Sequence, residues 1–228
     1  MMQLITPTYK QNRIGWVYFG IQLLVLPTLL VLLASKLPWK LSEVHLNILF
    51  FLLNFLCVGC IYFRFLVQSF RHAWQNIRLC LTSAIMGFGM YYAGGIVVGV
   101  LIQELYPNFQ NVNDMTVQLM VRQEFIPMAL CTMILVPITE EVLYRALVFG
   151  SLYYSKTWVS YTVSTIVFCS IHVAGYLSVY PLGLLALCFL QYVPASLCLA
   201  WAYHRSGTIV SPILIHMLVN TIGILAMR

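Results

Sequence analysis

Three groups of polar residues in the second half of the chain lie inside otherwise apolar runs. A carboxylate and an imidazole can orient and deprotonate a water, while a second imidazole and an amide can donate hydrogen bonds to a tetrahedral oxyanion. Together these side-chain types can hydrolyse an unactivated acyl bond without a nucleophilic side chain. The groups are Glu140, Glu141 and Arg145 in PITEEVLYRALVFG, Phe168 and His172 in FCSIH, and His216 and Asn220 in HMLVN.

The two adjacent glutamates have different surroundings on a helix. Glu141 and Arg145 are one turn apart on one face, with the glutamate nearer the N-terminus, which favours an ion pair. Glu140 points about 100° away and has no partner on its own helix. An uncompensated carboxylate at the bilayer centre costs roughly 2.5 to 3.5 kcal/mol even on the lenient insertion scale. We therefore expect Glu140 to be functional.

The other two groups have the same four-residue spacing. Phe168 and His172 share one helical face, and the ring of His216 and the amide of Asn220 can converge on one ligand atom. A histidine or asparagine in a membrane helix can equally be an interhelical hydrogen-bond partner, so each pair alone is a weak signal. We predict that three helices contribute these groups to one interior cavity.

A metal-dependent reaction is a second possibility for the same residues. Glu140, His172 and His216 are ordinary zinc-ligand types, and a bound divalent metal could polarise the water. The sequence contains no HExxH, which excludes the zincin arrangement. Zinc and no cofactor both remain open at this point.

Composition shows which solvent surrounds the elements that carry these groups. Of 228 residues, 61% are hydrophobic and 8% are charged, against roughly 25% charged residues in a soluble domain. So few charges cannot cover a particle that faces water on all sides. A water-soluble globule is excluded, and we predict an integral membrane protein.

Hydropathy divides the chain into seven apolar segments. They are 14–34, 44–67, 79–103, 125–153, 157–175, 181–203 and 208–227. The fourth is long, and Pro127 and Pro137 predict a kink or break before the glutamates, so eight helices are possible. The prediction is an all-α polytopic membrane bundle of seven to eight helices with a polar intramembrane cavity. It forms one domain, 1–228, with N-terminal helices in 1–124 and the catalytic core in 125–228.

Charge placement indicates topology rather than a nucleic-acid partner. The net charge is +6, but the 12 Lys and Arg residues are scattered at the ends of apolar segments. With the N-terminus in the cytoplasm, more basic residues fall on the cytoplasmic side, and a loop over 104–124 faces outwards. In the third segment, Gly95 and Gly99 form a GxxxG, with Gly87, Gly89 and Gly94 nearby, and these small residues predict close helix packing.

The three polar groups also match known motifs in order. EEVLYR fits EExxxR, FCSIH fits FxxxH, and HMLVN fits HxxxN. The chain thereby resembles the CPBP intramembrane protease family, also called Abi, which includes CAAX prenyl endopeptidases and bacteriocin-processing or self-immunity proteins. The resemblance covers about residues 125–228.

The resemblance implies an all-helical membrane fold with a conical cavity open to the cytoplasmic leaflet. Glu140 and His172 would activate the water, and His216 and Asn220 would form the oxyanion hole. Family members are often labelled metalloproteases, yet a metal-free, glutamate-dependent mechanism suits them similarly, so zinc stays open. The residues that would support the site are Glu141, Arg145 and Phe168.

The function expected from these observations is an intramembrane endopeptidase acting on a peptide or small protein in contact with membrane lipid. The short chain and basic N-terminus resemble the small bacterial members, which favours a bacterial cell membrane and a bacteriocin or pheromone precursor as substrate. The alternative is a non-catalytic scaffold or immunity protein that binds a peptide or a sensor protein. A CAAX prenyl endopeptidase and a secondary transporter rank below these two.

Overall fold

The computed structural model describes residues 3–226, which form helices and no β-strand. The all-α prediction is confirmed for this part of the chain. Its nine helices are α1 (Tyr9–Leu24), α2 (Leu26–Ala34), α3 (Glu43–Gln75), α4 (Ile77–Leu105), α5 (Val112–Gln123), α6 (Phe125–Leu152), α7 (Thr157–Ala174), α8 (Leu182–Ser206) and α9 (Val210–Ala226).

Most of these helices suit a bilayer. Five of them, α3, α4, α6, α7 and α8, are long and apolar enough to cross it, and α1 with α2 would make a sixth span. The last helix, α9, is apolar but has only 17 residues. The molecule is therefore an integral membrane protein, as its composition predicts.

The helix count exceeds the predicted seven to eight for two local reasons. The first apolar segment is divided at Val25, where α1 and α2 meet with a bend of 47°. Pro27 causes this break, because it has no N–H to donate to the carbonyl of Leu23. The stretch predicted as an outer loop contains α5, whose N-cap Asn111 accepts hydrogen bonds from the backbone N–H groups of Asn113 and Asp114. A polar cap thus starts a helix where hydropathy indicated a loop.

The fourth apolar segment is neither broken nor sharply divided at its prolines. It forms the single helical run α6, in which two π-helical stretches, Cys131–Leu135 and Val142–Phe149, flank the glutamates. Pro127 lies in the first turn, where a missing N–H is tolerated. The rest of the segment contains the wider turns of the two π-helical stretches, and π turns occur often at functional sites.

The first π stretch explains a contact between α6 and α9. The N–H of Val136 donates to the carbonyl of Cys131, five residues back. The next donor in this register would be Pro137, which has no N–H, so the carbonyl of Thr132 lacks its helical partner. The side-chain amide of Asn220 donates to that carbonyl over 2.9 Å. A side chain of α9 thereby supplies the hydrogen bond that this carbonyl of α6 lacks within its own helix.

The helix that carries the glutamates is the innermost one. All residues from 141 to 150 are buried. Around them lies the largest apolar cluster, to which α1, α3, α7 and α8 contribute Phe19, Tyr62, Cys169 and Tyr203. The charged segment is therefore held by packing on every side.

Close packing of α4 uses different glycines from the predicted pair. A Cβ at Gly87 would lie 2.6 Å from Cδ1 of Ile215, and one at Gly94 would lie 2.9 Å from Cβ of Pro194. At Gly95 and Gly99 a Cβ would meet no described atom within 4 Å. Close packing through the glycines of α4 is therefore found at Gly87 and Gly94 and not at Gly95 and Gly99, because the face of α4 that meets α8 and α9 runs through the first two, which are seven residues apart.

The N-terminal segment is tied to the turn between α8 and α9. The N–H of Ile5 donates to the carbonyl of Gly207 over 3.0 Å, and the hydroxyl of Tyr203 donates to the carbonyl of Ile5. Gly207 has a φ of 71°, the only positive value among the described residues. This turn and the start of the chain therefore lie at the same end of the bundle.

Candidate active site

The predicted ion pair of Glu141 and Arg145 forms in the protein core. Both residues are completely buried, and Nε of Arg145 lies 3.3 Å from Oε2 of Glu141. The other end of the guanidinium lies 3.4 Å from the carbonyl and the hydroxyl of Ser196. Two buried charges thereby compensate each other, which lowers the cost of placing either in the bundle.

Phe168 connects this ion pair to the first histidine. The Arg145 guanidinium carbon lies 4.3 Å from the centre of the Phe168 ring, a cation–π contact. The ring of His172 packs against the same phenyl ring, with centroids 4.4 Å apart and ring planes tilted by 43°. The predicted supporting position of Phe168 is thus occupied by a ring that packs against both residues.

Glu140 and His172 face each other across the helix interface. Nε2 of His172 lies 3.9 Å from Oε2 of Glu140, and this carboxylate oxygen has no hydrogen-bond partner among the described residues. Nδ1 of His172 lies 2.8 Å from the carbonyl of Phe168, which can only accept, so Nδ1 carries the proton. In the neutral ring Nε2 is therefore a free acceptor directed towards the carboxylate.

His216 approaches the other glutamate. Its Nδ1 lies 2.8 Å from Oε1 of Glu141, so this carboxylate contacts both His216 and Arg145. The sequence predicts only the ion pair between Glu141 and Arg145, because His216 lies 75 residues away along the chain. With Nδ1 engaged, Nε2 is the ring nitrogen left for a ligand.

Asn220 follows His216 by one turn of α9 but forms no hydrogen bond with Glu140, His172 or His216 in the described structure. One of its amide N–H groups is used by the carbonyl of Thr132. The amide has a second N–H. The predicted group of four therefore comprises one directly facing pair and two further residues on α9.

Tyr192 and Asp114 lie near His172 and were not predicted as site residues from the sequence. The ring of Tyr192 packs against the imidazole with centroids 4.4 Å apart and ring planes tilted by 37°. The ring of Phe168 contacts the same imidazole over an equal centroid distance, and the tyrosine hydroxyl donates to Asp114 over 3.0 Å. Asn111 and Asn113 bind the same hydroxyl. Tyr192 lies in an apolar run among many aromatic residues, and its spacing gives no signal for this contact.

The N-terminal turn of α5 thus reaches the neighbourhood of His172. Neighbouring groups desolvate the carboxyl of Asp114 and raise its pKa, although part of the residue is exposed. The hydrogen bond from Tyr192 and the nearby imidazole of His172 oppose this rise in pKa. Burial has the larger influence on the pKa of this carboxyl, which is therefore raised.

Glu140 also lines a half-open cavity of about 110 Å³ between α1, α3 and α6. Most of the wall is apolar, with leucine and aromatic side chains. The polar side chains in it are those of Gln22, Asn54, Thr139 and Glu140. Part of the Glu140 side chain therefore faces a space large enough for part of a ligand, while its Oε2 is enclosed between the helices.

The residues named as possible zinc ligands do not form a three-donor cluster. No group of three or more His, Cys, Asp or Glu side chains within 3–226 has the arrangement of a metal site. Nδ1 of His216 instead contacts Glu141, whereas Nε2 of His172 faces Glu140. This arrangement does not fit a zinc centre, so no chemical step is assigned to a metal.

Comparison with known protein families adds to this geometry. Residues 122–222 match the family model described as type II CAAX prenyl endopeptidase Rce1-like. This match supports the CPBP family for the second half of the chain. The matched region extends from the end of α5 into α9 and includes all three motifs. The family resemblance predicted from the motifs is confirmed for this region, and it implies a CAAX-type intramembrane protease. No curated protein and no solved structure matches the chain.

Proposed function

We propose that this protein is a metal-free intramembrane endopeptidase that cleaves a small membrane-associated peptide or precursor. The observation that carries the proposal is the unpartnered Oε2 of Glu140, 3.9 Å from the acceptor nitrogen of His172. Glu140 also lines an adjoining cavity that could hold part of a ligand. The Rce1-like match supports peptide hydrolysis as the reaction.

Glu140 and His172 would activate the water. The two side chains retain 20% and 14% of their exposure, so water can reach both. A water beside the pair can donate one hydrogen to the carboxylate and one to Nε2, which leaves an oxygen lone pair for attack on the scissile carbonyl. The attack forms the C–O bond, transfers a proton to this pair and places negative charge on the former carbonyl oxygen. The same proton then goes to the leaving amine as the C–N bond breaks.

His216 and Asn220 would stabilise the oxyanion. In its doubly protonated form, His216 would donate through Nδ1–H to Glu141 and through Nε2–H to the oxyanion. The second amide N–H of Asn220 is the other donor. Glu141 therefore acts through His216, as a positioning residue.

The substrate class proposed is a bacteriocin or pheromone precursor in a bacterial cell membrane, with the N-terminus of the protease in the cytoplasm. The grounds are the basic residues Lys10 and Arg13 and the distribution of Lys and Arg along the chain. A prenylated CAAX peptide is the other substrate to test, because the matching family model carries that description.

The test is cleavage of synthetic peptides by the purified protein in lipid nanodiscs. The peptides are a double-glycine-leader precursor and a farnesylated CAAX peptide, and mass spectrometry identifies the products. Glu140→Gln is expected to lower turnover by about 10²- to 10⁴-fold, the usual contribution of a general base. Glu104→Gln, at the exposed end of α4, is the matched control and should cleave normally.

Two results would contradict the proposal. If Glu140→Gln and His172→Ala both keep full cellular activity at unchanged protein level, the protein acts as a non-catalytic scaffold. If a chelator abolishes cleavage and added zinc restores it, the metal-free mechanism is wrong.

A further inference from the structure

A buried amide on α1 has no partner in the described structure. Gln22 is 6% exposed, and no hydrogen bond joins its side chain to any residue within 3–226, while its amide N and O are not among the fully enclosed unpartnered atoms and so keep some accessible surface. Leaving a buried amide without a hydrogen bond is costly, so such groups usually meet water or a ligand. Gln22 lines the same cavity as Glu140.

A second polar group lies beside Gln22 at the break between α1 and α2. The carbonyl of Leu23 would accept from residue 27 in a continuous helix, but Pro27 has no N–H. Leu23 also lines the cavity. In contrast, the amide of Asn54 in the same wall is satisfied, because it accepts from Tyr18 and donates to the carbonyl of Phe50.

Size and lining limit what the cavity holds. Its volume of about 110 Å³ is near that of cavities that take up one benzene molecule, about 150 Å³. One apolar side chain fits such a space, and a lipid acyl chain is much larger. A carboxamide offers both a donor and an acceptor, which matches the N–H and C=O groups of an extended peptide backbone.

We propose that Gln22 is a substrate-binding residue, whose amide hydrogen-bonds the peptide backbone while the cavity takes one apolar side chain next to the scissile bond. This inference rests on the proposed function, because Glu140 in the same wall marks where the bond is cut. The wall contributed by α1 therefore selects a peptide over a lipid chain. The segment lies outside the matched family region, which begins at residue 122.

Kinetics of Gln22→Leu test the hydrogen bond. This change keeps the side-chain size and removes both polar atoms. We expect KM to rise between about two- and tenfold, the range of a net hydrogen bond, with kcat within about twofold of the parent. Gln123→Leu, at an exposed position of α5, is the matched control. A lower kcat with an unchanged KM would contradict binding through Gln22.

Leu23→Trp tests the side-chain site. It narrows the mouth of the cavity, whereas Leu24→Trp places the same ring on the neighbouring, largely exposed position. Only the first variant should discriminate against peptides with Phe beside the scissile bond while cleaving those with Ala. Equal effects on both peptides, or no effect, would overturn the assignment.

Photo-cross-linking separates this inference from the proposed function. The probe is a peptide with benzoylphenylalanine beside the cleaved bond, or spanning the leader junction if no cleavage is found, applied to Glu140→Gln. Labelling of α1 that falls in Gln22→Leu supports the inference, even if the parent protein cleaves no peptide and the proposed function fails. Labelling of α1 by a photoactivatable fatty acid, without labelling by the peptide, would assign the cavity to lipid and refute the inference.

Discussion

Removing the buried guanidinium should destabilise the protein strongly. Arg145→Met replaces a fully buried cation by an apolar side chain of similar length and leaves Glu141, also fully buried, with only His216 as a charged neighbour. Breaking a buried ion pair from one side costs about 3 to 5 kcal/mol. The cation–π contact with Phe168 is lost as well. We therefore expect a loss of ~3 kcal/mol or more in the free energy of unfolding.

A second substitution should repair part of this loss. In the double variant Glu141→Gln with Arg145→Met, neither charge is buried, and replacing a whole ion pair by neutral residues is often tolerated. We expect the double variant to be ~2 kcal/mol more stable than Arg145→Met, although it should cleave poorly because His216 loses its carboxylate. Arg122→Met, at an exposed position, should change stability by less than about 0.5 kcal/mol.

Both stability and abundance can be measured for this set. Thermal unfolding in detergent can be followed with a thiol-reactive dye, because Cys80, Cys131, Cys169 and Cys188 are buried and free. Abundance comes from the membrane fraction of expressing cells. If Arg145→Met melts like the parent, or if the double variant is no more stable than the single one, the ion pair does not hold the site in shape.

Three further predictions concern separate parts of the molecule. His216→Ala should keep near-normal abundance, since Glu141 retains Arg145, and should lower kcat by about 10²- to 10³-fold through loss of an oxyanion donor; abundance as low as that of Arg145→Met would contradict this division of roles. Tyr192→Phe should keep most of kcat and Tyr192→Leu should lose it, because only the ring packs against His172; equal kcat values for the two variants at equal melting temperature would exclude positioning of His172 by this ring. Gly207→Ala should lower Tm, corresponding to about 1 kcal/mol or more, because φ is 71° and the new Cβ would lie 2.8 Å from the carbonyl oxygen of Gln3; Gly223→Ala, in an open helical position, should not lower it.

The sequence alone predicts the properties that depend on short stretches of chain. Exclusion of charge from lipid identifies the apolar helices, and a four-residue spacing places Glu141 beside Arg145 and Phe168 beside His172. The structure contains both of these contacts. Such predictions succeed because helical geometry relates neighbours in sequence to neighbours in space.

Local pattern was less informative about how single segments deviate from regular helices. The π turns on both sides of Glu140 and Glu141, and the helix α5 inside the expected loop, leave no hydropathy signal. The hydrogen-bond register does leave one signal, because Pro137 deprives a carbonyl of its donor and Asn220 supplies it. That pairing becomes visible only once α9 is packed against α6.

Tertiary packing decided which side chains meet. Glu141 contacts His216 from 75 positions away, Glu140 faces His172 on another helix, and Tyr192 covers that imidazole from a third. These contacts depend on how each helix is rotated about its axis and how deeply it is inserted. A rotation of α6 by about 100°, the angle between consecutive helical residues, would exchange the partners of the two adjacent glutamates. Their different roles are therefore a property of the packed bundle and not of the motif.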